Sequence, residues 1–423
     1  MKDFSIALAC ISALTLTMGY VYRKIKKSVL SEPIIALAAG IILGPEVLDM
    51  LNLFSWGSAE KILEVATQIT IAMALMATAF RIPKSYAKRH WRLQSILLLL
   101  GMMGMCGIST LLIHYILGFD WLLSFLIGAI ITPTDPVVAS TVVSGETAKK
   151  LLPERIRHSI SFESGANDGL ALPLVFLPML LIQKPDHHAW QEWFLKAVLW
   201  ETIGGVVIGL VVGYVAGKLL LKARDAGWMS ESSLLSFSLA LGFTVLGGLE
   251  AIDSNGILGV FAAGFAANMA LDEDEDIEQD EIQESMGRLF TIPIFLLFGL
   301  VLPWKEWFAL GWNAVWIVIA VLLLRRLPVI LALGPFLKKL PKKADLFMVG
   351  WFGPIGVAAM YYAVHSLSKT HVNEIWVISS LVIFGSTIVH GFTGYPFAKF
   401  YSRWENEYRQ SQESATDKDH QTT

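Results

Sequence analysis

Apolar segments about twenty residues long recur thirteen times along this chain, and that recurrence constrains its fold more than any other feature. A bilayer core about 30 Å thick takes roughly twenty helical residues to cross. With no water at that depth, each segment must satisfy its own backbone, which selects helices. The stretches fall at roughly 4–22, 31–50, 60–80, 93–117, 120–143, 156–182, 193–217, 232–251, 255–271, 288–303, 312–333, 345–366 and 373–396. Tight hairpins at 118–120 and 252–254 split apolar runs too long for one crossing. The chain is 54% hydrophobic and 16% charged, where soluble domains carry about 25% charge. The expected class is an all-α polytopic membrane protein whose surroundings are a lipid bilayer. Cys10 and Cys106 both lie inside apolar runs and read as packing residues. No Cys/His metal spacing occurs, and neither a cofactor nor a nucleic-acid partner is expected. The first run follows Met1-Lys2-Asp3 without a basic segment or a small-residue cleavage site, so it reads as a retained helix.

Charge placement sets the expected orientation. Of 33 basic residues, 25 fall on one side of a thirteen-span topology and six on the other, with Arg325 and Arg326 inside the eleventh span. The positive-inside rule then puts the N-terminus outside and the C-terminus in the cytoplasm of a cell membrane. The acidic run Asp272-Glu273-Asp274-Glu275-Asp276, continuing to Glu281, is cytoplasmic in this scheme and reads as a solvated loop. Residues 401–423 are polar and read as a short disordered cytoplasmic tail. Residues 1–400 form the membrane domain.

Two spans are broken where a membrane helix is usually intact. The fifth carries Thr132-Pro133-Thr134-Asp135-Pro136, and the twelfth carries Phe352-Gly353-Pro354-Ile355-Gly356. If thirteen spans divide as six, a linker and six, these two occupy matching positions. Paired interrupted helices are the pattern of inverted-repeat transporters, whose sites lie at the midplane where the breaks meet.

Beside the first break lies Glu163-Ser164-Gly165-Ala166-Asn167-Asp168-Gly169. Carboxylates at membrane depth are costly and mark ion or proton paths. Four-residue spacing puts Ser164 and Asp168 on one helix face, with Glu163 and Asn167 on the adjoining one. A hard monovalent cation takes oxygen ligands. Asp168 offers a carboxylate, Ser164 and Thr134 hydroxyls, and the segment up to Pro136 carbonyls that no helix consumes. Burial favours the protonated form of a carboxylate and a bound cation the ionised form. Proton and cation therefore compete for one anion, and competition with alternating access gives obligate exchange. Asp135 has two readings, a second ligand or a countercharge to half-helix ends, and the flanking prolines favour the second. Asn167 reads as a neutral brace. Glu163 and Arg325 or Arg326 read as a buried ion pair. Thr67 and Gln68 could face the cavity or a neighbouring helix. His114 reads as interfacial. His365 and His390 read either as pH-sensitive groups or as packing histidines, and the second is favoured. Glu201 and Glu250 read as span-end residues, and Asp253 as a turn residue.

With these motifs in this order, together with Leu327-Pro328-Val329 after the arginines and Gly353-Pro354-Ile355-Gly356, the chain resembles the monovalent cation:proton antiporters of the sodium/proton exchanger branch over about residues 4–400. The second motif is most similar to that of the fungal plasma-membrane antiporters and their bacterial relatives. The resemblance implies a thirteen-helix inverted-repeat fold with two discontinuous crossing helices. It also implies a homodimer, built from a moving core of helices (about 93–182 and 312–396) and a dimerisation scaffold. It implies Asp168 as the ion- and proton-binding carboxylate, with Ser164 and Thr134 contributing oxygens to a transported Na⁺. It places Glu163 against Arg325, and Asn167 before Asp168 resembles the electroneutral branch. Ile355 stands where many members carry a basic residue, and Gln68 is the nearest match to a third-span glutamate of some relatives. The implied activity is exchange of cytoplasmic Na⁺, or Li⁺ or K⁺, for external H⁺ in pH homeostasis. It is not an enzyme's. An intramembrane aspartyl protease would carry a Gly-x-Gly-Asp arrangement, and an organic-anion symporter a basic midplane pocket. Neither is present.

Overall fold

The structure is a computed structural model. It describes the chain except residues 1, 26–27, 29, 185–186, 229–232, 272–275 and 422–423. Among the described residues the fold is helical throughout. The helices are α1 (Lys2–Ile25), α2 (Glu32–Leu43), α3 (Ala59–Arg81), α4 (Lys84–Ser95), α5 (Met102–Leu117), α6 (Trp121–Ile130), α7 (Pro136–Val143), α8 (Gly145–Leu151), α9 (Glu154–Gln183) and α10 (His187–Glu192). There follow α11 (Gly205–Asp225), α12 (Ser233–Glu250), α13 (Gly256–Ala270), α14 (Asp276–Leu300), α15 (Trp304–Ala309), α16 (Trp312–Leu324), α17 (Leu327–Leu333), α18 (Lys343–Trp351), α19 (Val357–Thr370) and α20 (Asn373–Gln421). Wider π-helical turns at Ile96–Gly101 and Trp193–Gly204 join α4 to α5 and α10 to α11. Six helical segments are long and apolar enough to cross a membrane, and shorter apolar helices fill the bundle between them. The chain is therefore a multi-pass membrane protein.

Glycine sets the closest helix approaches. Gly205, Gly209, Gly213 and Gly217 recur every fourth residue and form one face of α11 against α13. A Cβ on Gly209 or Gly213 would strike the backbone of Gly259 or Ala263. Small residues of this kind let membrane helices meet backbone to backbone. On α9, Gly165 and Gly169 admit Phe261 and Leu258 of α13 in the same way. Pro173 lies inside α9 and has no N–H for the Gly169 carbonyl one turn back. The Asn255 side chain donates to that carbonyl instead, at 3.1 Å.

Two expectations need correction. The tail from 401, expected to lack structure, continues α20 as helix to Gln421. The reason is local: Tyr401 and Glu405 sit one turn apart and both accept or share hydrogen bonds with Arg155 (2.9 and 3.2 Å), while Lys342 holds Glu405 at 2.8 Å and Asp345 accepts from Tyr401 at 2.5 Å. Once that turn is anchored, adding further turns costs little. The second stretch, read as crossing over 31–50, is helical only to Leu43, and Pro45 follows in a turn. Of the acidic run at 272–281, the first four residues lie outside the described residues. α14 begins at Asp276, and the side chains as far as 286 are likewise outside the description.

Candidate functional site

The backbone leaves helical form twice at one place. α6 ends at Ile130 and α7 starts at Pro136; α18 ends at Trp351 and α19 starts at Val357. The two non-helical stretches meet directly, with the Asp135 N–H donating to the Pro354 carbonyl at 2.8 Å. Asp135 then serves both following helices. Its Oδ1 accepts from the N–H groups of Val137 (2.6 Å) and Val138 (3.4 Å), and its Oδ2 from that of Val357 (2.6 Å). One carboxylate thus caps the starts of α7 and α19, where orphan N–H groups and the helix dipole favour negative charge. A Cβ on Gly356 would fall on this carboxylate, so glycine is what allows the approach. Of the two readings of Asp135, this geometry matches the countercharge.

The opposite polarity is met by Arg325. Helix ends and broken segments expose carbonyls, and its guanidinium donates to those of Ile131 (2.6 Å), Thr132 (2.9 Å) and Gly353. The expected pairing of Glu163 with Arg325 is therefore corrected. Arg326 takes Glu163, through two parallel bonds of 2.5 Å, and its Nε donates to the Val349 carbonyl at 2.9 Å. Adjacent residues near a helix end point about 100° apart, so only one of the two arginines can face α9. Glu163 is 1% exposed and Arg326 2%.

α9 brings the remaining residues to the break. Asn167 grips Thr134 from both sides: its Nδ2 donates to Thr134 Oγ1 at 2.7 Å, and its Oδ1 accepts from the Thr134 N–H at 3.1 Å. Ser164 donates back to the Ile160 carbonyl at 2.7 Å, which leaves its oxygen lone pairs uncommitted as donors to a ligand. Asp168 differs from all of these. It is 0% exposed, and neither carboxylate oxygen accepts a hydrogen bond among the described residues. A buried carboxylate in such a setting departs from the general rule that buried polar groups are paired.

Sequence reasoning did not single out Tyr362 or Ser386. Tyr362 donates to the backbone carbonyl of Asp168 at 2.6 Å, and Ser386 accepts from the Ile355 N–H at 2.7 Å. Their signal was weak, a hydroxyl on an apolar helix face. His390 is buried and contacts the Trp351 carbonyl at 3.0 Å. Thr67 donates within its own helix at 2.7 Å, Gln68 lies beside the Glu250 carboxylate, and His114 lies at a helix end against Trp121. A cavity of about 910 Å³ opens at the end of the bundle bearing Arg81, Lys84, Lys149 and Arg155, and its floor reaches Ser161. Seven residues of helix, about 10 Å, separate Ser161 from Asp168.

A helical membrane bundle with a buried carboxylate that is unpartnered among the described residues, beside two capped backbone breaks, fits the class of ion-coupled membrane transporters. The family model for the transmembrane region of sodium/hydrogen exchangers matches residues 11–400, and the chain belongs to that family. It is 31% identical to a Na⁺/H⁺ antiporter of Schizosaccharomyces pombe, over 87% of this chain and 84% of that protein. It is 30% identical to Na⁺/H⁺ antiporter 2 of Zygosaccharomyces rouxii, over 91% of this chain and 52% of that one. The chain thus spans about half the length of several fungal relatives it matches. Its fold is that of the sodium proton antiporter MjNhaP1 of Methanocaldococcus jannaschii, with a TM-score of 0.71 at 17% identity, over 94% of this chain and 99% of that one.

Proposed function

We propose that this protein is a secondary antiporter that exchanges cytoplasmic Na⁺ for external H⁺ at Asp168. The observation that carries the reading is the fully buried Asp168 carboxylate, unpartnered among the described residues. An anion in such a place is stabilised by a proton or by a cation, and one site serves one of them at a time. Ser164 and Thr134 supply further oxygens to the cation. Asn167, Arg325, Arg326 and Glu163 hold the frame, and Asp135 balances the helix starts instead of binding the ion. The neutral loaded site crosses the membrane and the bare anion does not, which enforces exchange.

The finer architecture belongs to the same reading. Thirteen spans form an inverted repeat whose fifth and twelfth members cross at their breaks. A core of about 93–182 and 312–396 moves against a scaffold that also holds the homodimer together. The N-terminus lies outside and the C-terminus in the cytoplasm, so the basic cavity floored by Ser161 is the cytoplasmic vestibule. Matches to bacterial proteins named K⁺/H⁺ antiporters, at 24–27% identity, support K⁺ as a second candidate cation.

Purified protein in liposomes, given a pH gradient and then Na⁺, Li⁺ or K⁺, is expected to dissipate the gradient with Na⁺. No response to any of the three would refute the assignment. Ser164→Ala is expected to raise the half-saturating Na⁺ concentration by about tenfold, the loss of one oxygen ligand worth ~1.4 kcal/mol, with turnover at saturation little changed. An unchanged half-saturation would remove Ser164 from the ligand set.

A further inference from the structure

A cluster of charged groups lies apart from Asp168, toward the other end of the bundle from the basic cavity. His365, two turns into α19, turns its Nδ1 to the Glu64 carboxylate of α3 at 2.7 Å. Rings hold the imidazole in place, Phe176 of α9 at 6.0 Å between centroids and Tyr361 at 5.7 Å, both stacked. Its Nε2 is buried without a hydrogen-bond partner among the described residues. Around the pair stand Glu201 of the π-helical turn, Glu250 and Asp253 at the end of α12, Lys61 of α3 and Lys369 of α19. Glu201 also has Lys196 at 3.9 Å. The setting is acidic on balance and accommodates an imidazolium.

Glu64 sits on α3, which the antiporter reading assigns to the scaffold, and His365 on α19, which starts at the Asp135 cap and which that reading assigns to the core. The vestibule on the cytoplasmic side reaches to Ser161, while toward the other end Tyr362 donates to the Asp168 backbone carbonyl and, one turn further along α19, His365 meets Glu64. Opening Asp168 to the outside requires the core to shift against the scaffold, and that shift separates the two side chains. We propose that Glu64 and His365 form the outer latch of the exchange cycle, closed in this conformation and tightened when His365 is protonated from outside. The inference rests on the antiporter reading and adds positioning residues to it. The sign follows from charge: the ion pair exists only while Glu64 is ionised and His365 protonated, so it strengthens as outer pH falls.

The test has two arms. In right-side-out vesicles with inner pH held constant, exchange by the wild type is compared with His365→Gln, which keeps a hydrogen bond to Glu64 without the charge. Between outer pH of about 7.5 and about 5.5 the wild type is expected to lose roughly fivefold relative to the variant, the shift an ion pair worth ~1 kcal/mol produces. Parallel outer-pH profiles would overturn the protonation step. In the second arm, Glu64→Cys and His365→Cys are combined with Ser164→Cys in a chain whose Cys10 and Cys106 are changed to Ser. A short reductant-cleavable thiol cross-linker joins 64 to 365, and an impermeant thiol reagent is applied from outside. Cross-linking is expected to block labelling at position 164 and reduction to restore it. Equal labelling with the bridge in place would overturn the latch. Exchange is measured separately on the wild type, so a protein that does not exchange at all refutes the antiporter reading while the labelling still decides the latch.

Discussion

Asp168→Asn is expected to reduce cation-dependent proton flux to that of protein-free liposomes while leaving the protein folded. The argument separates function from stability because the structure does. Neither oxygen of Asp168 accepts a hydrogen bond from a described residue, so asparagine of the same shape breaks no native contact. It also removes the cost of holding an ionisable group away from water. The variant should therefore melt at or above the wild-type temperature. What asparagine cannot do is alternate between a neutral and an anionic state, and that alternation is the whole of the proposed coupling. Wild-type exchange should show the corresponding competition, with the half-saturating Na⁺ concentration rising about tenfold per pH unit below the carboxyl's titration point. Two results would sink the assignment: retained exchange in Asp168→Asn, or a Na⁺ half-saturation that ignores pH. An inactive variant that also melts early would move Asp168 into the frame of the fold.

Much of this site could be read from the residues because the membrane makes polar chemistry conspicuous. A carboxylate within an apolar span has few explanations, so Asp168 stood out. Prolines and glycines in two spans foretold where backbone groups would need partners. Asp135 supplies them for Val137, Val138 and Val357, and Arg325 for the carbonyls of Ile131 and Thr132. Less legible was anything that depends on helix rotation. Arg325 and Arg326 are neighbours in sequence, and nothing in their identities says which one faces Glu163. The broken geometry between α16 and α17 decides it. Glu64 and His365 are 301 residues apart, and nothing in either residue alone points to the other. The tail misled for a related reason: its polar composition suits a disordered chain, but Tyr401 and Glu405 find Arg155, Asp345 and Lys342 on elements distant in sequence.

Arg326→Ala is expected to be the most destabilising single change in the core, costing about 3–5 kcal/mol, because it strands Glu163 at 1% exposure without its countercharge. The guanidinium binds both Glu163 oxygens at 2.5 Å and the Val349 carbonyl at 2.9 Å, so three acceptors lose their donor together. Arg326→Lys should fall between, since an ammonium cannot reproduce the parallel bonds. Glu163→Leu with Arg326→Met tests whether the pair stabilises the fold or sets its geometry. Buried ion pairs replaced by apolar residues of similar volume often lose nothing, so the double variant should recover most of the melting temperature lost by Arg326→Ala. Its exchange should nevertheless stay impaired, because Glu163 also meets Asn167 at 3.5 Å, and Asn167 holds Thr134 on both sides. A double variant as unstable as Arg326→Ala would show that apolar side chains cannot fill the space of the pair. One that exchanges like the wild type would show that Thr134 needs no support from this ion pair, and the chain of contacts from Arg326 to the transported ion would end at Glu163.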